Sequence, residues 1–196
     1  MGAGRTTRQR ATLPTRALLL CGAIGAASAI LIVVLGPVLL TAALASPVLH
    51  SLLGSVHILG PLLAGRWLRR PGVILITAFV ASLLAVPFTA LGLLTIPALC
   101  LPAAVVEGVL VLGRFWRTGR DLVWFGGALG GAVTIFAISL VVIDPRVLSG
   151  SVVGLTLAGR VVAYLAIAAL AIAAERALAR AGLRRLPPAA RGTGGA

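Results

Sequence analysis

Every basic residue of this chain is an arginine, and fifteen of the seventeen fall in four clusters separated by apolar runs. The clusters are Arg5/Arg8/Arg10/Arg16, Arg66/Arg69/Arg70, Arg114/Arg117/Arg120 and Arg176/Arg180/Arg184/Arg185/Arg191. Positive charge beside membrane helices is held on the cytoplasmic side, so clusters alternating with apolar runs specify both span number and orientation.

A bilayer core of about 30 Å needs roughly 20 apolar helical residues. Ala17 to Gly65 is uncharged for 49 residues, and Pro71 to Gly113 gives 43 with Glu107 as the one charge, so each run holds two spans. Leu122 to Ile143 and Val147 to Ala174 hold one each, the latter interrupted only by Arg160. The expected fold is an all-α integral membrane protein with six transmembrane helices, near 17–35, 51–69, 73–91, 97–116, 122–142 and 154–182. Both termini are then cytoplasmic, and only Arg146 and Arg160 fall in the outer half. The expected organisation is a basic tail (1–16), a transmembrane domain (17–185) and a disordered C-terminal tail (186–196). Pro37 and Pro47 predict a broken first connection. Pro71-Gly72 predicts a tight turn, because proline disfavours helix at Arg70 and glycine accepts unusual dihedrals. Trp67, Trp116 and Trp124 are expected in an interfacial belt.

With 60% hydrophobic residues and 11% charge, the chain does not read as a soluble domain. A net charge of +13 would ordinarily suggest nucleic acid. Here the arginines flank membrane spans, where they face anionic headgroups, so the bilayer is the expected partner and nucleic acid is not. The plasma membrane is the expected location. Cys21 and Cys100 lie in separate apolar runs without a Cys/His pattern, so no metal site is expected. No catalytic acid pair and no phosphate-binding loop occur, so neither enzyme activity nor a cofactor is expected, and any ATP must be handled by partners.

Glu107 lies seven residues before Arg114, about 10 Å inward along a helix. Arg160 lies about 22 Å outward from Glu175 on the same measure. Ionisable groups at such depths face a cavity, a partner or each other. They are therefore candidate ligand-binding residues, with His57, Tyr164 and Phe88 as further wall residues of an outer pocket and His50 nearby. A buried structural contact is the plain alternative. On the first helix Gly22, Gly25, Ala26 and Ala29 share one face, and Ala23 and Ala27 form a small-xxx-small pair beside it. Small residues let helices approach closely in lipid, either within the chain or against another subunit. Gly126, Gly127, Gly130 and Gly131 suit packing within the chain.

Several short segments resemble the substrate-binding (S) subunits of energy-coupling-factor (ECF) transporters. They are similar to the YkoE-like hydroxymethylpyrimidine or thiamine branch: Arg69-Arg70-Pro71-Gly72, Gly92-Leu93-Leu94-Thr95, Glu107 with its following aromatic-basic helix end, Leu148-Ser149-Gly150, and Ala177 to Leu183. The chain departs from the branch at Leu91 and Pro102, where tryptophan and glutamine are usual. The resemblance implies a non-enzymatic subunit that captures a vitamin-like molecule from outside. It implies association with a membrane coupling (T) subunit and two cytoplasmic ATPase subunits. It also implies that the small-residue motif of the first helix, Ala23-xxx-Ala27 with Gly22, Gly25, Ala26 and Ala29 beside it, contacts the coupling subunit. A small polytopic protein with a structural role and no ligand is the competing reading.

Overall fold

The computed structural model describes residues 14–142 and 149–182. Most of the expected basic tail, the segment 143–148 with Asp144, Pro145 and Arg146, and the expected C-terminal tail lie outside the described residues. The described residues form α-helices and short 3-10 turns, with no strand among them. The helices are α1 (Thr15–Ala45), α2 (Pro47–Gly54), α3 (Leu59–Leu68), α4 (Val73–Ala85), α5 (Thr95–Leu112), α6 (Phe115–Thr118), α7 (Asp121–Val142) and α8 (Gly150–Arg180). A 3-10 turn, Ser55–Ile58, joins α2 and α3 into one rod, Pro47–Leu68.

Five of these segments are long and apolar enough to cross a membrane: α1, the α2–α3 rod, Gly92–Leu112, Asp121–Leu140 and α8. The protein is a multi-pass membrane protein on that evidence. The sixth expected span is shorter, an apolar segment Val73–Phe88 in which α4 tightens into a 3-10 turn at Val86–Phe88. At 1.5 Å per residue it measures about 24 Å, below the usual membrane thickness.

The first connection differs from expectation. α1 does not stop near residue 35 but runs through Pro37 to Ala45. An interior proline costs about 3 kcal/mol. Abandoning the helix in apolar surroundings would strand several backbone groups at several kcal/mol each, so the helix continues. The break falls at Ser46, held extended ahead of Pro47, and its side chain accepts from Leu49 N to cap α2. The second rod therefore begins at 47 rather than 51. At the other end of that rod Arg69 adopts a left-handed conformation (φ 47°) and Gly72 has φ 90°, so the expected Arg-Pro-Gly turn is present. α5 ends earlier than expected, at Leu112, and Arg114 (φ 51°) starts the separate turn α6.

Neighbours around the bundle run α1, α4, α5, α7, α8, the α2–α3 rod and back to α1. Hydrophobic burial does not drive helices together in lipid, so close backbone approach matters. At the α5–α7 contact a Cβ on Gly131 would lie 2.7 Å from Val106 Cγ2 and 3.1 Å from Tyr164 Cε1. A Cβ on Gly127 would lie 3.3 Å from the Val106 carbonyl. At the α1–α4 contact a Cβ on Gly25 would lie 2.9 Å from Val80 Cβ.

The arginine-rich end is tied by ion pairs. Arg66, 4% exposed on α3, donates from Nε to Glu175 of α8 at 2.5 Å and from Nη2 to Asp121 of α7 at 2.7 Å. Arg69 reaches Glu175 at 3.5 Å. Phe115 and Trp124 each lie with their ring centroid 5.5 Å from the Arg66 guanidinium carbon. Trp124 is thus not an interfacial residue. It is fully buried, and its indole N–H donates to the Ala168 carbonyl at 3.2 Å. Half-buried Trp67 and Trp116 remain nearer the surface.

Replacing Glu175 by Ala leaves Arg66 buried with Asp121 alone. The expected loss is about 3 kcal/mol of stability, measured as a lower thermal unfolding midpoint in detergent. Restoration by adding Arg66→Met to that variant would confirm that the unpaired cation is the cause.

Candidate functional site

Polar side chains gather at the end of the bundle opposite the Arg66 ion pairs. Thr156, Arg160 and Tyr164 are four residues apart on α8 and share one buried face. They meet the α2–α3 rod where it narrows into the Ser55–Ile58 turn. That turn has a local cause. Ser51 Oγ donates to the Val48 carbonyl, Ser55 Oγ to the Ser51 carbonyl, and His57 Nδ1 bonds the Gly54 carbonyl at 2.5 Å. Side chains that bond backbone carbonyls in this way bend helices, and 3-10 stretches inside helices recur at functional hinges.

His50 Nδ1 faces the Leu39 carbonyl of α1 at 3.2 Å, and His57 Nδ1 faces that of Gly54. A carbonyl only accepts, so each Nδ1 carries its proton. In the neutral ring Nε2 is then an acceptor, and the Tyr164 hydroxyl donates a hydrogen bond to His57 Nε2 across 3.2 Å. The two rings stand edge to face, 6.1 Å apart. Arg160 is 3% exposed and donates from Nη2 to Ser139 of α7 at 3.4 Å. Its Nη1 lies over Gly54: a Cβ there would sit 3.5 Å from Nη1 and 3.7 Å from His50 Nε2. Gly159 similarly lets α8 close on α2, because a Cβ there would sit 3.0 Å from Ser51 Oγ. Arg160 Nε and Thr156 Oγ1 are buried without a hydrogen-bond partner among the described residues.

Three of the expected residues, His57, Arg160 and Tyr164, are therefore neighbours. Glu107 and Phe88 are not part of their cluster. The Glu107 carboxylate accepts from the backbone N–H groups of Gly72 and Leu75, the latter at 2.9 Å. It caps the N-terminus of α4, whose first amides have no partner within the helix. No ion pair joins Glu107 to Arg160 among the described residues. Phe88 is 69% exposed and lines an open groove of about 380 Å³ between α1 and α4, with Ala26, Ala29, Ile30, Val33, Val34 and Leu84. That groove lacks the few fixed polar groups that orient a small-molecule ligand.

Thr156 and Ser139 did not stand out in the sequence. Thr156 carried a readable signal, one turn before Arg160 on the same face. Ser139 carried none, because its place beside Arg160 depends on how α7 packs on α8. The same holds for Arg66, whose acids lie 55 and 109 residues away.

The small residues of α1 divide between two faces. Gly25 and Ala29 are buried within the chain, whereas Ala23 and Ala27 are exposed. Gly22 has no atom within 4 Å of where its Cβ would lie, and Ala26 borders the α1–α4 groove.

No family model and no curated protein sequence matches the chain. The fold is similar to a solved structure described as the crystal structure of an S-component of ECF transporter, with a TM-score of 0.77 and 88% of each chain covered. The two sequences are 20% identical, so the likeness is one of fold.

Replacing Glu107 by Ala removes the carboxylate that caps the Gly72 and Leu75 amides at the start of α4. The expected cost is about 2 kcal/mol, read from the unfolding midpoint. Amide exchange should speed at residues 72–75 and stay unchanged around Arg160.

Proposed function

We propose that this chain is the substrate-binding subunit of an ECF-type importer, a six-span plasma-membrane protein with both termini cytoplasmic. The observation that carries the reading is the fold likeness over 88% of both chains. It gains support from a buried polar cluster around Arg160, at the end of the bundle away from the Arg66 ion pairs. Polar groups inside a membrane are expensive and are retained where they line a pathway or bind something.

In this reading Arg160, Tyr164 and His57, with His50, Thr156 and Ser139, take a vitamin-like molecule from the outer side. Thiamine or its pyrimidine precursor is the candidate offered by the sequence resemblance. Glu107 fixes the α3–α4 turn, and Phe88 belongs to the outer rim of the α1–α4 groove. A membrane coupling subunit and two cytoplasmic ATPase subunits supply the energy. Ala23 and Ala27, with Gly22 and Ala26, form the exposed small-residue face of α1 on which the coupling subunit docks. Gly25 and Ala29 hold α1 against α4.

Leucine at both Ala23 and Ala27 should abolish co-purification of the coupling subunit and leave ligand affinity unchanged. A thermal-shift screen of vitamins on the purified chain tests the ligand-binding half of the reading, with stabilisation of several degrees expected at saturating ligand. Absence of both a stabilising ligand and a co-purifying ATPase would favour a purely structural role.

A further inference from the structure

The charge balance around Arg160 points to the chemical class of the ligand, an inference that rests on the substrate-binding reading. The chain has four acidic residues. Glu107 caps α4, while Asp121 and Glu175 hold Arg66 at the far end of the bundle. Asp144 lies outside the described residues. Among the described residues, the groups placed around the Arg160 guanidinium are Ser139, Gly54, His50, His57 and, on its own face of α8, Thr156 and Tyr164. All are neutral dipoles when the histidines are uncharged. Arginine does not shed its proton in proteins, so the charge stays. A buried cation is tolerated where an anion pairs with it. Arg160 Nε and Thr156 Oγ1 are also buried without a hydrogen-bond partner among the described residues.

We propose that the ligand supplies the anion: it carries a carboxylate or phosphate that seats on the Arg160 guanidinium and accepts a hydrogen bond from the Thr156 hydroxyl. A planar guanidinium binds either group through paired, charge-assisted hydrogen bonds. Tyr164 and His57 then border the uncharged part of the ligand one turn deeper. A cationic vitamin such as thiamine would meet a like charge here. A carboxylated or phosphorylated molecule would not.

The test uses the full-length chain in detergent and calorimetric titration with matched compounds differing in charge. The carboxylate arm pairs nicotinate with nicotinamide, pantothenate with pantothenol and biotin with its amide. The phosphate arm pairs thiamine monophosphate with thiamine and pyridoxine phosphate with pyridoxine. In at least one pair the anion should bind about 100-fold tighter than its partner. The arm in which this happens identifies the anion. Arg160→Gln should weaken that binding about 100-fold, and Arg160→Lys and Thr156→Val about 10-fold each. The pair comparison needs no variant, so it stands if Arg160→Gln fails to fold. If the uncharged or cationic member binds as tightly as the anion, the inference falls and the substrate-binding reading survives. If a cooperatively melting protein binds none of these compounds, the inference falls, and the substrate-binding reading is decided by the vitamin screen together with co-purification of an ATPase. If Asp144→Asn lowers the ligand-free melting point and the Arg160→Gln/Asp144→Asn pair restores it, Asp144 is the counter-ion and the inference is wrong.

Discussion

Arg66 sits where α3, α7 and α8 meet, and its guanidinium bonds to acids from two of them. Within a membrane the hydrophobic effect does not choose which helices touch, since lipid and leucine are equally apolar. A desolvated cation with two carboxylates is a directional contact that does choose. Phe115 and Trp124 close around the same group, so the aromatic core of this end is organised by the ion pairs. With three rods fixed in this way, the register of α8 follows. That register brings Thr156, Arg160 and Tyr164 against the narrowed α2–α3 rod.

The two ends of the bundle treat charge in opposite ways. At one end Arg66 is matched by acids of the chain itself. At the other, the described groups around Arg160 are dipoles, and Arg160 Nε and Thr156 Oγ1 lack a partner among the described residues. Each guanidinium keeps one buried N–H without a partner among the described residues, Arg66 Nη1 and Arg160 Nε, but only Arg66 has carboxylates against it there. The 3-10 turn at Ser55–Ile58 adds to the contrast: Ser51 and Ser55 spend their hydroxyls on backbone carbonyls of the rod, and His57 alone of these three also reaches α8, through Tyr164.

The arginine pattern placed the apolar helices well, because span length and flanking charge are local properties. Boundaries were read less well where local and environmental preferences oppose each other. Pro37 signals a break by its own chemistry, yet apolar surroundings hold the helix together to Ala45. Glu107 was visible as a costly residue but not as a cap, since its partners are amides more than thirty residues away. Trp124 matched the composition of an interfacial belt, but the guanidinium beside it draws the ring inside. On α1 the sequence showed two small-residue faces, and packing against Val80 decided which of them is internal.

By itself the sequence determined the all-helical membrane character, the apolar segments and the short list of intramembrane polar residues. These follow from hydropathy and charge read along the chain. Tertiary structure decided which of those residues meet. Helix rotation and packing set His57 against Tyr164, placed Arg160 without an acid among the described residues, and gave Glu107 to the start of α4. The reason is physical: depth in a membrane follows from sequence position, but facing depends on close approaches at Gly131, Gly25 and Gly159 that only the assembled bundle specifies.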